Sequence, residues 1–438
     1  MVLAGPLAKR VTVLVSGCKG HEGDGFDDHV QGGQSRPGTI VGPTMTAPPT
    51  SSLRLSAEAS DPISPDPQSE PAEPIYVTRP YLPPLADYVA LLEEVWSNRI
   101  LTNGGPFHQQ LEARLAGYLD VPAVSLTANG ALALEIALEA AGVTGDVVTT
   151  PYSFVATTHA VRRGGLRPVF ADIDPGTFNL DPARLEEAIT PRTSAIVAVH
   201  CYGTPCDVAA IEAIARRHGI KVIYDAAHAF GVRLDGRSLF TWGDYATVSF
   251  HATKVFQTFE GGAVCVNDGA LKPVIDSLKN FGIASETSIP DVGTNAKMSE
   301  LHAAMGVLQL AHFDHVRACR AAIASLYREL LAQVPGITVP VAPSGVEPNY
   351  AYFPVLVERE FRLSRDDLYA ALGRRSIHAR RYFYPLLSTI PAYVDEPSAA
   401  PANLPIANEV AAKILCLPIF PDLSPDQVHM IVDVISGG

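Results

Sequence analysis

The sequence predicts an α/β fold: a large domain with a mixed, mostly parallel sheet flanked by helices, followed by a small α+β domain at the C-terminus. From residue 121 onward, short apolar segments alternate with helical patterns, which is typical of a sheet covered by helices. At the centre, a strand over 194–200, a helix over 207–219 and a strand over 220–225 form one βαβ unit. After about residue 325 short strands and helices are mixed, which favours a second, smaller domain.

The first half of the large domain is predicted as helices alternating with short strands. Leu111, Leu115 and Leu119 recur at helical spacing, and Asn129-Gly130 precedes an apolar segment that ends at Gly142. Because that segment is apolar on nearly all sides, we expect it to be buried. The predicted helices cover 85–96, 107–119, 131–142, 153–163 and 183–189, and the predicted strands cover 121–126, 146–150 and 167–171.

The centre of the chain gives the clearest pattern. Asp207 is placed to cap a helix that ends at Gly219, and the next apolar strand ends at Asp225. Continuous apolar strands of this kind are buried on both faces of the sheet. Since ligands of such sheets bind beyond the carboxyl ends of the strands, Asp225 lies where a functional residue is expected. The remaining predictions are strands over 245–250, 262–266, 350–357 and 376–382, and helices over 298–310, 314–333, 364–373 and 425–435.

Composition divides the chain near residue 75. Residues 1–75 hold 10 of the 36 prolines and a single aromatic residue, Phe26, so they have little to bury. We therefore expect a mostly disordered extension over 1–75, a large domain over 76–325 and a small domain over 326–438. The small domain is expected to be rejoined by the N-terminal segment of the folded body.

Charge and cysteine content exclude several classes of protein. The net charge of −13 argues against binding to nucleic acid or to an anionic membrane surface, and no apolar run approaches the length of a membrane helix. Lys9-Arg10, the apolar residues 11–15 and Cys18 form too short a pattern for a signal peptide. The six cysteines contain no C-x-x-C pair, so we predict no metal site, no disulfide framework and a cytoplasmic location.

Four polar features could each have an ordinary structural explanation, but together they indicate a cofactor site. Asn129-Gly130-Ala131 begins a helix, where free N–H groups suit a phosphate, although an ordinary cap has the same sequence. Asp225 and His228 follow a strand, and a strand-end aspartate also caps turns. Lys254 precedes a Gly-Gly turn, where burial would lower its pKa, unless it is a solvated loop lysine. Asn295 lies in a loop before a helix that Ser299 would cap.

A phosphate-binding turn, a strand-end acid and a lysine amine are the groups that pyridoxal 5'-phosphate requires. Longer segments make the prediction specific, and their order and spacing resemble the DegT/DnrJ/EryC/StrS sugar aminotransferases. That resemblance implies the aspartate-aminotransferase fold, with 76–325 as the pyridoxal-phosphate-binding domain. The segments are TPYSFVAT (150–157), PVFADIDPGTFNLDP (168–182), HCYGTPCDVAAI (200–211), YDAAHAFG (224–231), SFHATKVFQTFEGGA (249–263) and GTNAKMSELHAA (293–304).

The resemblance also implies roles for individual residues. Lys254 falls on the lysine that binds the cofactor covalently and carries protons, and Asp225 falls on the acid that keeps the pyridine nitrogen protonated. His228 falls near the ring hydroxyl, and Phe154 on the aromatic residue that stacks on the ring. Gly130, Ala131 and Ser249 fall on the phosphate site. Asn295 falls on a residue that reaches the phosphate from the neighbouring subunit, which implies a homodimer with shared active sites.

Two positions depart from the family pattern. Many members have Thr where this chain has Ala131, so one hydroxyl donor to the phosphate is missing. Lys297 stands where other branches carry Arg or another residue, which leaves its contact with sugar or phosphate open. Arg381, Tyr382 and Tyr384 are candidates for the sugar-nucleotide pocket, and packing of a surface turn is an equal alternative.

Flanking segments at 76–85, 101–112, 349–356 and 380–386 resemble the viosamine-type branch of the family. That branch aminates C4 of dTDP-4-dehydro-6-deoxy-D-glucose with L-glutamate as donor, giving dTDP-4-amino-4,6-dideoxy-D-glucose. The alternatives are amination of another dTDP keto sugar, at C3 or of galacto type, and a sugar dehydratase using the same cofactor. Lys254 argues against the dehydratase, because relatives of that kind have His there. A cofactor-binding regulator without turnover is a rival from another class, and a nicotinamide enzyme lacks its G-x-G-x-x-G motif.

Overall fold

The computed structural model describes residues 73–437, so the extension predicted over 1–75 lies almost entirely outside the described residues. The helices are α1 Leu85–Asn98, α2 Pro106–Leu119, α3 Gly130–Ala140, α4 Ala156–Arg163, α5 Pro182–Ala188, α6 Val208–His218, α7 Lys272–Leu278, α8 Glu300–Leu331, α9 Arg365–Arg374, α10 Pro405–Lys413 and α11 Pro425–Ser436. No helix within residues 73–437 is long and apolar enough to cross a bilayer.

The strands are short. They are β1 Ile75–Tyr76, β2 Ala123–Thr127, β3 Asp146–Thr149, β4 Arg167–Phe170, β5 Thr193–Val199, β6 Lys221–Asp225, β7 Arg233–Leu234, β8 Arg237–Ser238, β9 Tyr245–Ser249, β10 Gly262–Val266, β11 Ile337–Thr338, β12 Val346–Glu347, β13 Phe353–Val357, β14 Ile377–His378 and β15 Ile414–Leu417. Four of them, β2, β3, β10 and β15, are buried along their full length.

A seven-stranded sheet with the order β2-β10-β9-β6-β5-β3-β4 forms the centre of the fold. Strands β4, β3, β5, β6 and β9 run parallel, and β10 pairs antiparallel with both β9 and β2. The predicted βαβ unit is confirmed as β5, α6 and β6: Asp207 accepts a bond from the Ala210 N–H, and Gly219 ends α6 in the left-handed region. The sheet is therefore mixed and mostly parallel, as predicted.

A second apolar core lies in the C-terminal part of the chain. It is built on the antiparallel strands β11, β13 and β15 and on the second half of α8, with Tyr327, Phe353 and Ile431 among its buried residues. Ile75 of β1 also belongs to this core, because β1 pairs in parallel with β14. The N-terminal segment therefore joins the C-terminal core as expected, while the domain boundary near residue 325 stays a prediction.

Two element predictions are wrong. The helices predicted over 298–310 and 314–333 are one continuous helix, α8, because no residue between them breaks it and Phe313 is buried against Phe230. The strand predicted over 376–382 is only the two-residue β14. After it, one isolated bridge joins Arg380 to Cys416, and the chain then turns so that Phe383 packs against Tyr202.

Candidate active site

A cavity of about 490 Å³ opens beyond the carboxyl ends of β6 and β9. This volume lies within the range of roughly 300–1,000 Å³ that is usual for small-molecule sites. The cavity brings together seven of the predicted cofactor residues and one of the predicted substrate residues. They are Gly130, Ala131, Phe154, Asp225, His228, Ser249, Lys254 and Tyr382.

The phosphate-binding turn predicted from the sequence lies where α3 meets the sheet. The Asn129 side chain accepts a hydrogen bond of 2.9 Å from the Leu132 N–H, which leaves the first N–H groups of α3 at the cavity. A Cβ atom added to Gly130 would lie 2.7 Å from Cβ of Ser249, so only glycine permits this close approach of α3 to β9. The positive end of the helix and the Ser249 hydroxyl therefore form a site suited to an anion.

Asp225 ends β6 and is 5% exposed. Its carboxylate accepts hydrogen bonds from the Thr157 hydroxyl at 2.8 Å and from the Ala227 N–H at 3.1 Å. Burial raises the pKa of Asp225, and these two bonds and the Lys254 charge oppose that increase. Thr157 has no predicted role, although it ends the TPYSFVAT segment that supports the resemblance.

Lys254 lies at the cavity in the loop after β9. Its Nζ atom is 3.5 Å from the hydroxyl of Tyr352, and burial lowers its pKa to about 8, against the opposing effect of Asp225. An amine with this pKa is partly neutral near physiological pH, which allows it to act as a nucleophile and a base.

His228 is buried between the cavity and a group of aromatic rings. Its Nδ1 atom accepts a hydrogen bond of 3.3 Å from the Tyr202 N–H, so a proton on the neutral ring is on Nε2. Burial and the Lys254 charge lower its pKa, which keeps the ring neutral. Its ring stacks on Phe383 at 5.7 Å, and Phe383 also lines the cavity without having been predicted to do so.

The structure does not bring every predicted residue to the cavity. Arg381 donates a 2.8 Å hydrogen bond to Asp366, and Tyr384 is half-exposed beside Arg365. Both lie outside the cavity lining because only Tyr382 and Phe383 of this turn face inward, so their contact with substrate stays a prediction.

The loop before α8 also lies outside the cavity of its own chain. Asn295 is exposed, and Lys297 donates a 2.7 Å hydrogen bond to Asn280. The predicted contact of Asn295 with the phosphate of a neighbouring subunit is not tested by a single chain and stays a prediction.

The cavity residues fit pyridoxal phosphate. Asp225 is buried, and within residues 73–437 its carboxylate accepts hydrogen bonds only from the neutral donors Thr157 and Ala227, so its negative charge is costly. A protonated ring nitrogen would offset that cost, the α3 N-terminus would hold the phosphate, and Lys254 supplies the amine. Phe154, 57% exposed at the cavity, offers an apolar face to a flat ring.

Comparisons with known proteins give one consistent result. The family model described as the DegT/DnrJ/EryC1/StrS aminotransferase family matches residues 86–436. The chain is 51% identical to a dTDP-4-amino-4,6-dideoxy-D-glucose transaminase of Shigella dysenteriae and 49% identical to one of Escherichia coli; each match covers 83% of this chain and 98% of the relative.

A solved structure agrees with this result. The crystal structure of DesI in the presence of its TDP-sugar product matches with a TM-score of 0.80 and 38% identity, over 83% of this chain and 92% of that one. The fold class, the enzyme class and the cofactor predicted from the sequence are confirmed. The chain belongs to the DegT/DnrJ/EryC1/StrS aminotransferase family, whose members are pyridoxal-phosphate-dependent enzymes.

Proposed function

We propose that the protein transfers an amino group from L-glutamate to C4 of dTDP-4-dehydro-6-deoxy-D-glucose, giving dTDP-4-amino-4,6-dideoxy-D-glucose. The observation that carries this proposal is the 51% identity to a transaminase named for that product, along 98% of the relative's length. The cavity supports the reaction type, since a partly neutral lysine and a buried aspartate lie at one cavity.

Lys254, Asp225 and Ser249 each have a proposed role in this reaction. Bound pyridoxal phosphate supplies the electron sink that stabilises negative charge at the reacting carbon. Lys254 Nζ removes the proton from Cα of glutamate in the first half of the reaction and delivers a proton to C4 of the sugar in the second. Asp225 holds a positive charge at the ring nitrogen, and the N-terminus of α3 with Ser249 holds the phosphate.

The assay that tests the proposal uses the purified full-length protein loaded with cofactor. Glutamate and dTDP-4-dehydro-6-deoxy-D-glucose should give 2-oxoglutarate and a dTDP-amino sugar in equal amounts, with the nitrogen placed at C4 by NMR. Lys254→Ala should abolish turnover. Lys413→Ala is the matched control, because Lys413 pairs with Glu358 and Glu409 at the surface, away from the cavity.

The same assay separates the alternatives. Amination at C3, or preference for a galacto-configured keto sugar, would overturn the substrate assignment but leave the transaminase. A deoxygenated product without transferred nitrogen would identify a dehydratase, and cofactor binding without turnover on any keto sugar would identify a regulator.

We also propose a homodimer in which Asn295 completes the site of the neighbouring subunit. Exposed apolar side chains precede Asn295 along the same segment: Phe281 is 51% exposed, Ile289 66% and Val292 88%. Burial of these residues against a second copy would stabilise the dimer.

We also propose a cytoplasmic location. The chain is further proposed to divide into a large domain over 76–325 and a small domain over 326–438. The location is supported by the free thiols of Cys201, Cys206, Cys265, Cys319 and Cys416. The division is supported by the second core, whose residues begin, apart from Ile75, at Ile323.

A further inference from the structure

Tyr352 is the residue whose hydroxyl contacts the Lys254 amine. The two atoms are 3.5 Å apart, and Lys254 Nζ forms no other hydrogen bond within residues 73–437. Such bonds at reactive groups are often long in a protein without its substrate. Asp225 acts on the amine through its charge rather than through a hydrogen bond.

The strand pattern explains why Tyr352 faces the cavity. Along β13, Phe353, Val355 and Val357 are buried in the C-terminal core, and successive residues of a strand point to opposite faces. Tyr352 therefore lies on the other face, where it packs against the cluster that contains Tyr202 and Phe383. Its ring is enclosed by His228 at 4.9 Å, Tyr202 at 5.5 Å and Tyr382 at 5.7 Å.

A buried arginine fixes the backbone that carries Tyr352. Arg320 of α8 is 2% exposed and donates to the carbonyl oxygens of Tyr350 at 3.2 Å, Ala351 at 3.4 Å and Ile419 at 3.1 Å, and to the Thr78 hydroxyl at 3.2 Å. None of these partners is a carboxylate. A buried cation held by carbonyl groups is costly, so the arrangement calls for a role beyond packing.

Asn349 fixes the same segment from the opposite side. Its side-chain amide donates to the carbonyl oxygens of His228 at 2.8 Å and Phe230 at 3.0 Å, and its oxygen accepts from the Ala351 N–H at 3.0 Å. The residues just before Tyr352 are therefore tied both to the helix that carries Arg320 and to the loop that follows Asp225.

We propose that Tyr352 is a further active-site residue, whose hydroxyl orients the Lys254 amine while that amine moves a proton, and that Arg320 and Asn349 are positioning residues that fix Tyr352. The inference rests on the proposed aminotransferase reaction. A phenol hydroxyl both donates and accepts, so Tyr352 can bond to the neutral amine and to the ammonium ion. The charged groups around Lys254 and Tyr352 are Asp225 and Arg320, and His228 is neutral.

Tyr352→Phe removes only the hydroxyl and tests the first step of the inference. The first half-reaction is followed alone, by mixing cofactor-loaded protein with glutamate or α-deuterated glutamate and recording the visible absorbance in a single turnover. We expect the rate to fall about tenfold, the scale of one lost hydrogen bond, and the deuterium isotope effect to increase. Cofactor affinity should stay unchanged.

The matched control is Tyr327→Phe. Its hydroxyl is buried but forms no hydrogen bond within residues 73–437, so its loss should leave the half-reaction unchanged. A Tyr352→Phe protein with the wild-type rate and the wild-type isotope effect would overturn the inference.

A second measurement does not depend on turnover. Formaldehyde with cyanoborohydride methylates Lys254 of the cofactor-free protein, and the pH dependence of the initial rate, read by mass spectrometry, gives the pKa of the amine. We expect Tyr352→Phe to change this pKa by about half a unit or more, and an unchanged value would contradict the contact. If wild-type protein fails to react with glutamate, the proposed function is wrong. The titration still tests whether the Tyr352 hydroxyl contacts the Lys254 amine.

Arg320→Lys tests the positioning role, since lysine keeps the charge but lacks the planar fork of donors. We expect kcat to fall with KM for the sugar nucleotide unchanged, and the double variant Arg320→Lys/Tyr352→Phe to be no slower than Tyr352→Phe alone. A lower Tm with an unchanged single-turnover rate would make Arg320 purely structural. Should this variant not fold, Asn349→Asp, which loses the two amide N–H donors, is measured in its place.

Discussion

Burial penalises the charged forms of both Asp225 and Lys254. It raises the pKa of the carboxyl group and lowers that of the amine to about 8, and each group's charge opposes the change at the other. The Thr157 hydroxyl and the Ala227 N–H add support for the ionised carboxylate. A cation bound beside Asp225 would therefore lower the pKa of its carboxyl group and favour the ionised form.

Asp225→Asn keeps the shape of the side chain but removes its negative charge. We expect the rate of the half-reaction with glutamate to fall by about a hundredfold or more, because the ring nitrogen loses the charge that keeps it protonated. Single-turnover absorbance measures this rate. Asp314→Asn is the control, since Asp314 is exposed and only weakly paired with Arg317. An equal rate in Asp225→Asn and wild type would show that the Asp225 charge is not needed at the ring nitrogen.

His200 makes the stability of the fold depend on pH. It is fully buried, stacks on Tyr224 at 4.7 Å and accepts a 3.1 Å hydrogen bond from the Cys206 N–H, and burial lowers its pKa from 6.5 to about 3. Between these two pH values the unfolded chain binds a proton at His200 that the folded protein does not. The free energy of unfolding therefore decreases as the pH falls.

His200→Asn keeps an acceptor for the Cys206 N–H but removes the titrating ring. We expect the pH dependence of the unfolding free energy between pH 6 and pH 4 to become weaker by about 1.4 kcal/mol per pH unit. Urea denaturation at several pH values measures it. Gly117→Ala, at an exposed position, changes no titratable group and should leave the slope as it is; an unchanged slope in His200→Asn would contradict the prediction.

At the scale of elements, local sequence was sufficient to predict a helix or strand where the capping residues and the apolar segment indicate the same ends. The βαβ unit of β5, α6 and β6 was predicted to within two residues, because Asp207 and Gly219 mark the ends of α6. α8 was predicted as two helices separated at 311–313, but the burial of Phe313 against Phe230 keeps it one continuous helix. β14 is short for a similar reason: the contact of Phe383 with Tyr202 depends on residues distant in sequence.

The active site likewise combines residues that local sequence predicts with contacts between residues distant in sequence. Asp225 and Lys254 were predictable because each lies in a recognisable segment, Asp225 at the end of β6 and Lys254 in the loop after β9. The contact of Tyr352 with Lys254 joins residues 98 positions apart. That of Arg320 with Thr78 joins residues 242 positions apart, so no local pattern indicates either.

Gly130→Ala tests the close approach of α3 to β9. The added Cβ would meet the side chain and backbone of Ser249, so we expect α3 to move and cofactor affinity to weaken by about tenfold or more. Titration of the cofactor-free protein with pyridoxal phosphate measures this affinity.

Gly117→Ala is the matched control for this variant. Gly117 lies within α2 with nothing within 4 Å of the added Cβ, and alanine there should stabilise the fold by about 0.5–1 kcal/mol. Unchanged affinity in Gly130→Ala would show that α3 need not lie so close to Ser249.

At the scale of the whole molecule, the position of Asn295 outside the cavity of its own chain makes the proposed dimer testable. If each site takes Lys254 from one subunit and Asn295 from the other, two inactive variants can complement each other. In a mixed dimer of Lys254→Ala and Asn295→Asp, one site has both defects and the other has neither.

Unfolding and refolding an equal mixture of these two variants should restore about a quarter of wild-type activity, because half of the dimers are mixed and each has one intact site. Each variant refolded alone is the control and should stay inactive. A mixture with no more activity than the separate variants would show that both residues serve the same subunit's site.

The pairing of β1 with β14 also determines when folding can finish. Ile75 and Ile377 are partners in this pair, about three hundred positions apart, and closing so long a loop carries an entropic cost. A ribosome makes β1 before the strands of the central sheet and β14 after them. During synthesis β1 therefore stays without its partner until β14 has been made, and the C-terminal core closes only after α11, which contributes Ile431 and Ile435, has emerged.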